Sequence, residues 1–347
     1  MDKKRILVTG GVGYIGSHTT VELIQKGFEV IIIDNLSNSS AGVIDGIEEI
    51  TGIRPVMEVF DLQDQVKLND FFERHKPVDA IIHFAASKAV GESVEKPELY
   101  YRNNLVSLLN LLEAQQKFAI RNLVFSSSCT VYGQPDYLPV TEKAPVQEAT
   151  SPYGNTKQIC EEILRDFVYA HNDIRAISLR YFNPIGAHPS ALIGELPRGI
   201  PNNLVPFITQ TAIGIRKELK IFGGDYNTPD GSCIRDYIHV VDLAKAHVVA
   251  IQRLIENKNK SNLEFFNIGT GRGISVMELV KTFIKVTEVP LKYKIVNRRA
   301  GDIEQIWADP AFANDELGWK AESSLDETIL SAWNWEKYYE AQHSRLK

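Results

Sequence analysis

A tyrosine one helical turn before a lysine, with a serine brought in from elsewhere in the chain, can take a proton from an alcohol. This sequence holds such a set in Tyr153, Lys157 and the run Ser126-Ser127-Ser128. Ser151-Pro152-Tyr153 reads as an N-cap followed by proline at the first helical position, which puts Tyr153 and Lys157 on one face. A free phenol titrates at about 10 and is a poor base at neutral pH, whereas a nearby ammonium favours the phenolate. Lys157 is therefore expected to tune Tyr153, with Ser128 donating a hydrogen bond to the reacting oxygen. Spacing alone is equally explained by a solvated Tyr and Lys pair on an amphipathic helix; the upstream residues decide.

Gly10-Gly11-Val12-Gly13-Tyr14-Ile15-Gly16 follows a short apolar run and opens a helix, the place a dinucleotide fingerprint requires. Glycines there let backbone N–H groups approach a pyrophosphate at the positive end of the helix. An ordinary strand-to-helix turn is the plain alternative. Against it stands Asp34, closing the second apolar run, where a carboxylate can accept two ribose hydroxyls. The same charge would repel a 2′-phosphate, and neither Asn35 nor Leu36 can neutralise it, so NAD is expected rather than NADP. Asp61-Leu62 and the stretch from Phe84 and Ala85 to Lys88 close the third and fourth runs and would line the riboses. Asp61 could also serve as a helix N-cap before Gln63.

These residues need a scaffold, and the first half of the chain supplies one. Strands are expected at Arg5 to Thr9, Glu29 to Asp34, Val56 to Phe60, Ala80 to His83, Leu123 to Ser127 and Ala176 to Arg180. Helices at Gly16 to Lys26, Gln63 to His75, Glu98 to Gln116 and Pro152 to His171 alternate with them. That rhythm predicts an α/β fold, a doubly wound parallel Rossmann sheet. Past Asn183 glycines and prolines crowd the chain and loops lengthen, so residues 184–347 are expected to form a smaller, loop-rich substrate domain after an NAD-binding domain over 1–183. Asp236 to Ile255 and Phe265 to Ile268 read as helix and buried strand, a return to the first sheet between about 236 and 268.

Composition narrows the function. With 347 residues, 44% hydrophobic and 24% charged, the chain can bury a core without staples. A net charge of −6 with one basic cluster, Lys3-Lys4-Arg5, argues against nucleic acid as a partner. The three cysteines, Cys129, Cys160 and Cys233, are far apart and odd in number, which predicts a reduced cytoplasmic protein without a disulfide framework or metal site. No apolar run is long enough to span a membrane.

Taken together, Gly-x-x-Gly-Tyr-Ile-Gly-Ser-His, Asp34-Asn35-Leu36, His83-Phe84-Ala85, Val90-Gly91-Glu92-Ser93, the serine run, Tyr153-x-x-x-Lys157, Arg180-Tyr181-Phe182-Asn183 and Arg235-Asp236-Tyr237-Ile238-His239-Val240 resemble the UDP-glucose 4-epimerase family of extended short-chain dehydrogenase/reductases. The resemblance covers nearly the whole chain. It implies C4 epimerisation of UDP-glucose and UDP-galactose through a 4-keto sugar, with Tyr153 as base, Ser128 its partner and Lys157 the ribose-binding and pKa-tuning residue. It further implies NAD contacts from Tyr14, Ile15, Asp34, Asn35, Asn38, Asp61, Leu62, Phe84, Ala85, Lys88, Asn103 and Phe182, beside the Gly10, Gly13 and Gly16 cradle. For the UDP-sugar it implies Asn183, Asn203, Leu204, the strand Lys220-Ile221-Phe222 beside uracil, and Arg235, Tyr237, Arg299 and Asp302 around the nucleotide. Arg235 and Arg299 are natural forks for a diphosphate. In resembling dehydratases an Asp-Glu pair follows the catalytic Thr; here Cys129 and Thr130 stand there, which disfavours elimination of water. Ile306 matches a sugar-pocket gate and, being of intermediate size, leaves N-acetylated UDP-sugars open as alternative substrates. A homodimer paired through two long helices is implied as well.

Overall fold

The computed structural model describes residues 3–299 and 301–344. Seven strands, β1 (Arg5–Thr9), β2 (Glu29–Asp34), β3 (Val56–Val59), β4 (Ala80–His83), β5 (Asn122–Ser126), β6 (Arg175–Tyr181) and β7 (Leu263–Ile268), form one sheet. Their order is β7-β6-β5-β4-β1-β2-β3, and every neighbouring pair is parallel. Such a sheet is covered on both faces, so its central strands β1, β2, β4 and β5 carry near-continuous apolar runs, while the edge strand β3 is partly exposed. Successive side chains go to opposite cores: Ile6 and Val8 meet Ile32, Ile82 and Val124 on one face, while Leu7 meets Ile31, Ile81 and Leu123 on the other. The order reverses between β1 and β4, which opens a crevice at their carboxyl ends.

The doubly wound sheet matches the expectation from sequence, and the return segment accounts for its seventh strand. β7 pairs along its length with β6, and the helix Val240–Ile255 lays Leu243, Ala246, Val248 and Leu254 onto the first face. That helix starts later than expected. Tyr237–His239 are a strand paired with Asn183–Ile185, and the His239 ring caps the helix by accepting the Val241 N–H at 3.0 Å.

Several ends shift by one or two residues, and three differences bear on the site. The third strand stops at Val59. The helix expected from Gln63 begins at Gln65, and its cap is Asp64, which accepts the Lys67 N–H at 3.1 Å, so Asp61 is not the N-cap. The helix expected from Glu98 to Gln116 is broken into Pro97–Tyr101, a π-helical turn Arg102–Val106 and Ser107–Lys117. Wide turns of this kind recur at functional sites because the extra residue re-aims a side chain. Here Asn104 is buried and ties the Ser87 backbone to the catalytic helix, taking the Ser87 N–H at 2.8 Å and donating to Thr156 Oγ1 at 3.0 Å.

Beyond Asn183 the chain is more regular than its glycines and prolines suggest. Leu219–Phe222 pairs with Tyr293–Val296, and Ile234–Arg235 lies between Ile274–Ser275 and Gln305–Ile306. Helices Leu204–Ala212, Val276–Thr287 and Leu325–Ser344 close around a third core containing Ile208, Leu279, Phe283 and Trp333.

Three histidines are fully buried and neutral. Burial pushes His18 and His83 down to about 3 and His247 to about 4. Below about 6.5 the unfolded chain binds protons that the folded chain refuses, so stability falls with pH by about 1 to 2 kcal/mol for each histidine between pH 7 and 5. The urea midpoint is expected to drop over this interval; an unchanged midpoint contradicts neutral burial.

Candidate functional site

The crevice at the strand ends is built around the glycine loop. Gly10 lies at φ +70°, and a Cβ there would stand 2.9 Å from the Ala85 nitrogen. A Cβ on Gly16 would fall 2.1 Å from the Gly10 carbonyl oxygen. These contacts let the helix Tyr14–Gln25 start directly against β1. No side chain caps its first turn, which leaves those N–H groups to an outside anion. Ile15 continues into the core, and the Tyr14 hydroxyl donates to the Gly186 carbonyl at 2.6 Å.

Asp34 sits at the end of β2, buried, accepting the Val12 N–H at 3.3 Å, the Leu36 N–H at 2.9 Å and the Ser39 hydroxyl at 2.7 Å. Its carboxylate thus ties the glycine loop to the loop carrying Asn35 and Asn38. Asn35 donates to Asp61 at 2.9 Å, and Asp61 takes the Gln63 N–H in a turn. Leu62 points its side chain into the core, so only its backbone faces the crevice. Phe84 and Ala85 continue β4. The Lys88 ammonium lies 3.6 Å from Glu195 and 5.7 Å from the Tyr14 ring, and Asn103 donates to Ser87 Oγ at 3.1 Å. A cradle without side chains, uncapped helix amides and a carboxylate beyond them fit a dinucleotide with a free ribose diol.

The serine run is sorted by its partners. Ser126 Oγ bonds the Tyr181 hydroxyl at 2.8 Å, and Ser127 Oγ donates to Glu161 at 2.7 Å. Ser128 Oγ caps the Cys129–Tyr132 turn by accepting the Thr130 N–H at 3.2 Å, which leaves its own hydrogen on the side of Tyr153. Tyr153 and Lys157 project from one face of Pro152–Ala170, whose cap Ser151 accepts the Gly154 N–H at 3.2 Å. The Lys157 ammonium donates to the Ser126 carbonyl at 2.7 Å and stands 6.0 Å from the centre of the Tyr153 ring.

Burial dominates the titration of both groups. It pushes the Tyr153 phenol well above 10, opposed by the Ser128 hydrogen bond, and pushes the Lys157 ammonium down to about 8. Burial therefore favours the protonated phenol in the chain alone.

Behind these residues lies a network that sequence reading missed. Glu161 accepts Ser127 and Ser178 hydroxyls and two Arg180 N–H groups at 2.7 to 3.0 Å. Arg180 also donates to the Tyr132 hydroxyl, which donates to Asn267 on β7. The legible signal was spacing: Tyr153, Lys157 and Glu161 recur every four residues on one helix.

Phe182 and Ile306 are buried together with Cys129 in one cluster beside the Cys129–Tyr132 turn. Burial pushes the Cys129 thiol up to about 12, and neither it nor Thr130 offers a carboxylate. Arg235 pairs in register with Ile306 and donates to the Ile234 and Glu304 carbonyls at 2.8 and 3.5 Å, leaving the rest of its fork for an anion. Arg299 is held by Asp302 at 2.6 Å and lies over the Phe222 ring at 5.5 Å. Tyr237 is buried beside Asn183, its parallel strand partner. Lys220 and Phe222 face outward while Ile221 is buried, so that strand can offer a base two side chains and only the backbone of the third. The Asn203 amide donates to Glu195, and Leu204 begins the following helix.

This fold and crevice define a Rossmann-fold enzyme of the short-chain dehydrogenase/reductase type. The family model described as GDP-mannose 4,6 dehydratase matches residues 7–331. A curated UDP-glucose 4-epimerase of Bacillus subtilis is 50% identical over 331 residues, covering 95% of this chain and 96% of the relative. The UDP-glucose 4-epimerase of Bifidobacterium longum, solved with NAD+ and UDP, superposes with a TM-score of 0.92 at 46% identity over 96% of this chain and 98% of that one. That of Stenotrophomonas maltophila, with bound NAD and formylated UDP-arabinopyranose, gives 0.94 at 45% over 98% and 99%. The chain belongs to the UDP-glucose 4-epimerase family.

The depressed Lys157 has a measurable sign. Its folded value of about 8 lies below the ordinary 10.5, so between these the unfolded chain holds a proton the folded chain has released, and stability rises with pH. Relative to Lys157→Met, the wild type is expected to gain about 2 kcal/mol between pH 7.5 and 9.5 in urea unfolding. A constant difference would place the ammonium in water.

Proposed function

We propose that this protein interconverts UDP-glucose and UDP-galactose by oxidising the sugar at C4 and reducing it again on the opposite face. Residues 1–183, with the return segment 236–268, form the NAD lobe, and 184–347 the UDP-sugar lobe. Bound NAD supplies the hydride acceptor and returns the same hydride. Tyr153 takes the C4 hydroxyl proton and gives it back, Ser128 holds the reacting oxygen, and Lys157 contributes charge beside the phenol. The observation that carries this assignment is the sorting of the serines, which leaves only the Ser128 hydroxyl for Tyr153. Arg235 and Arg299 would hold the diphosphate while the sugar turns, since strong sugar contacts in one pose would oppose presentation of the second face. Cys129 and Thr130 supply no acid for dehydration, so the ketone is left to be reduced.

Ile306, buried against Cys129 and Phe182, is assigned as the wall that sets sugar size, and UDP-N-acetylglucosamine is the second substrate to test. The protein is read as a cytoplasmic homodimer joined through the helices flanking the π-turn and Pro152–Ala170; among the described residues no helix is long and apolar enough to cross a membrane.

Incubation with UDP-galactose is expected to yield UDP-glucose without added NAD and without net redox change. Tyr153→Phe should lower kcat by roughly 10² to 10⁴ while leaving bound NAD(H) in place. Ile306→Tyr should shift the rate ratio toward the plain hexose; an unchanged ratio removes Ile306 as the wall.

A further inference from the structure

Residues 186–203 touch three of the segments assigned to the dinucleotide. At one end Gly186 accepts the Tyr14 hydroxyl of the glycine-loop helix at 2.6 Å. Midway, Ile193 is buried with Ile15, Ile44 and Ile47, and Gly46 is packed so closely that a Cβ there would lie 2.7 Å from the Leu192 carbonyl oxygen. Glu195 faces Lys88 of the loop after β4, and the Trp335 ring N–H fixes its carbonyl at 3.0 Å. Arg198 then reaches the loop after β2, donating to the Ser37 carbonyl at 3.2 Å and to the Ser39 carbonyl.

That last contact is made to a loop under strain. Leu36 holds φ +58°, a left-handed conformation unfavourable for a residue with a bulky side chain, and Ser39 donates to the Asp34 carboxylate at 2.7 Å. Arg198 binds the far side of that same loop, so the carboxylate assigned to the adenosine ribose is positioned in part from the other lobe. Epimerisation gives such a device a purpose, because NADH lost midway would strand the ketone.

Resting on the NAD reading above, we propose that residues 186–203 form a clasp that retains the dinucleotide between half-reactions, with Arg198 its latch at the adenosine end and Glu195 its latch at Lys88. Arg198 touches neither the reacting atoms nor the substrate residues, which separates retention from chemistry.

The test compares wild type, Arg198→Ala and Arg198→Lys as purified holoenzymes, measuring NAD(H) released on denaturation, exchange of bound NAD against isotopically labelled NAD+, and the thermal midpoint. Losing two charged-donor hydrogen bonds is expected to speed exchange about tenfold or more in Arg198→Ala and make its turnover respond to added NAD+. Arg198→Lys, able to satisfy one carbonyl, is expected to fall between, and decides alone if the alanine variant does not fold. Exchange in both variants within about twofold of wild type overturns the clasp, as does acceleration that tracks a lowered thermal midpoint measured at saturating NAD. A wild type that carries and exchanges no NAD(H) overturns the cofactor reading itself.

Discussion

Everything in the crevice depends on keeping one ammonium charged where there is almost no water. Lys157 is only 4% exposed, and what offsets its lost hydration is a single carbonyl at 2.7 Å together with the faces of Phe125 and Tyr153. A charge so placed acts through a low effective dielectric, which gives it influence over a neighbouring phenol that a surface lysine lacks. The same burial works against the phenolate, so in the chain alone Tyr153 keeps its proton.

That arrangement requires β5 and the helix Pro152–Ala170 to be fixed relative to each other within fractions of an ångström. The buried Glu161–Arg180 pair does this through Ser127 just past β5, Ser178 on β6, and through Tyr132 the return strand β7. A buried pair of this kind adds little net stability compared with apolar packing, but removing one partner is costly, so it specifies geometry more than it strengthens the fold. Asp236 has a similar role where the return segment begins, gathering the Thr270, Gly271 and Ala308 N–H groups on one carboxylate. Chain from beyond residue 183 supplies β7 and the helix Val240–Ile255 to the seven-stranded sheet, so the second half of the sequence does not fold apart from the first.

Much of this was legible in one dimension where a local rule applied. The strand runs are short and apolar, the glycine loop must follow a strand and open a helix, and Ser151-Pro152 marks the start of the catalytic helix. Reading failed where tertiary context overrode such rules. The π-turn at Arg102–Val106 interrupts a sequence that is helical by propensity, because burying Asn104 between Ser87 and Thr156 outweighs the lost regularity. Asp61 has the residue type of a cap, yet Asp64 sits at the position from which the first-turn N–H can be reached. Loop-like composition after Asn183 concealed paired strands two to four residues long, too short for periodicity to register.

Sequence by itself determined the doubly wound sheet, the cofactor crevice at its switch point and the Tyr153, Lys157 pair on one helix face, since each follows from period, spacing and the steric demands of glycine. Only the tertiary structure decided that the Ser126 and Ser127 hydroxyls are taken by Tyr181 and Glu161, that Ile221 and Leu62 turn inward, and that residues 186–203 cross back onto the loops after β2 and β4. Those outcomes are set by contacts between residues far apart in the chain, and such contacts exist only once the sheet has brought its neighbours within hydrogen-bonding distance.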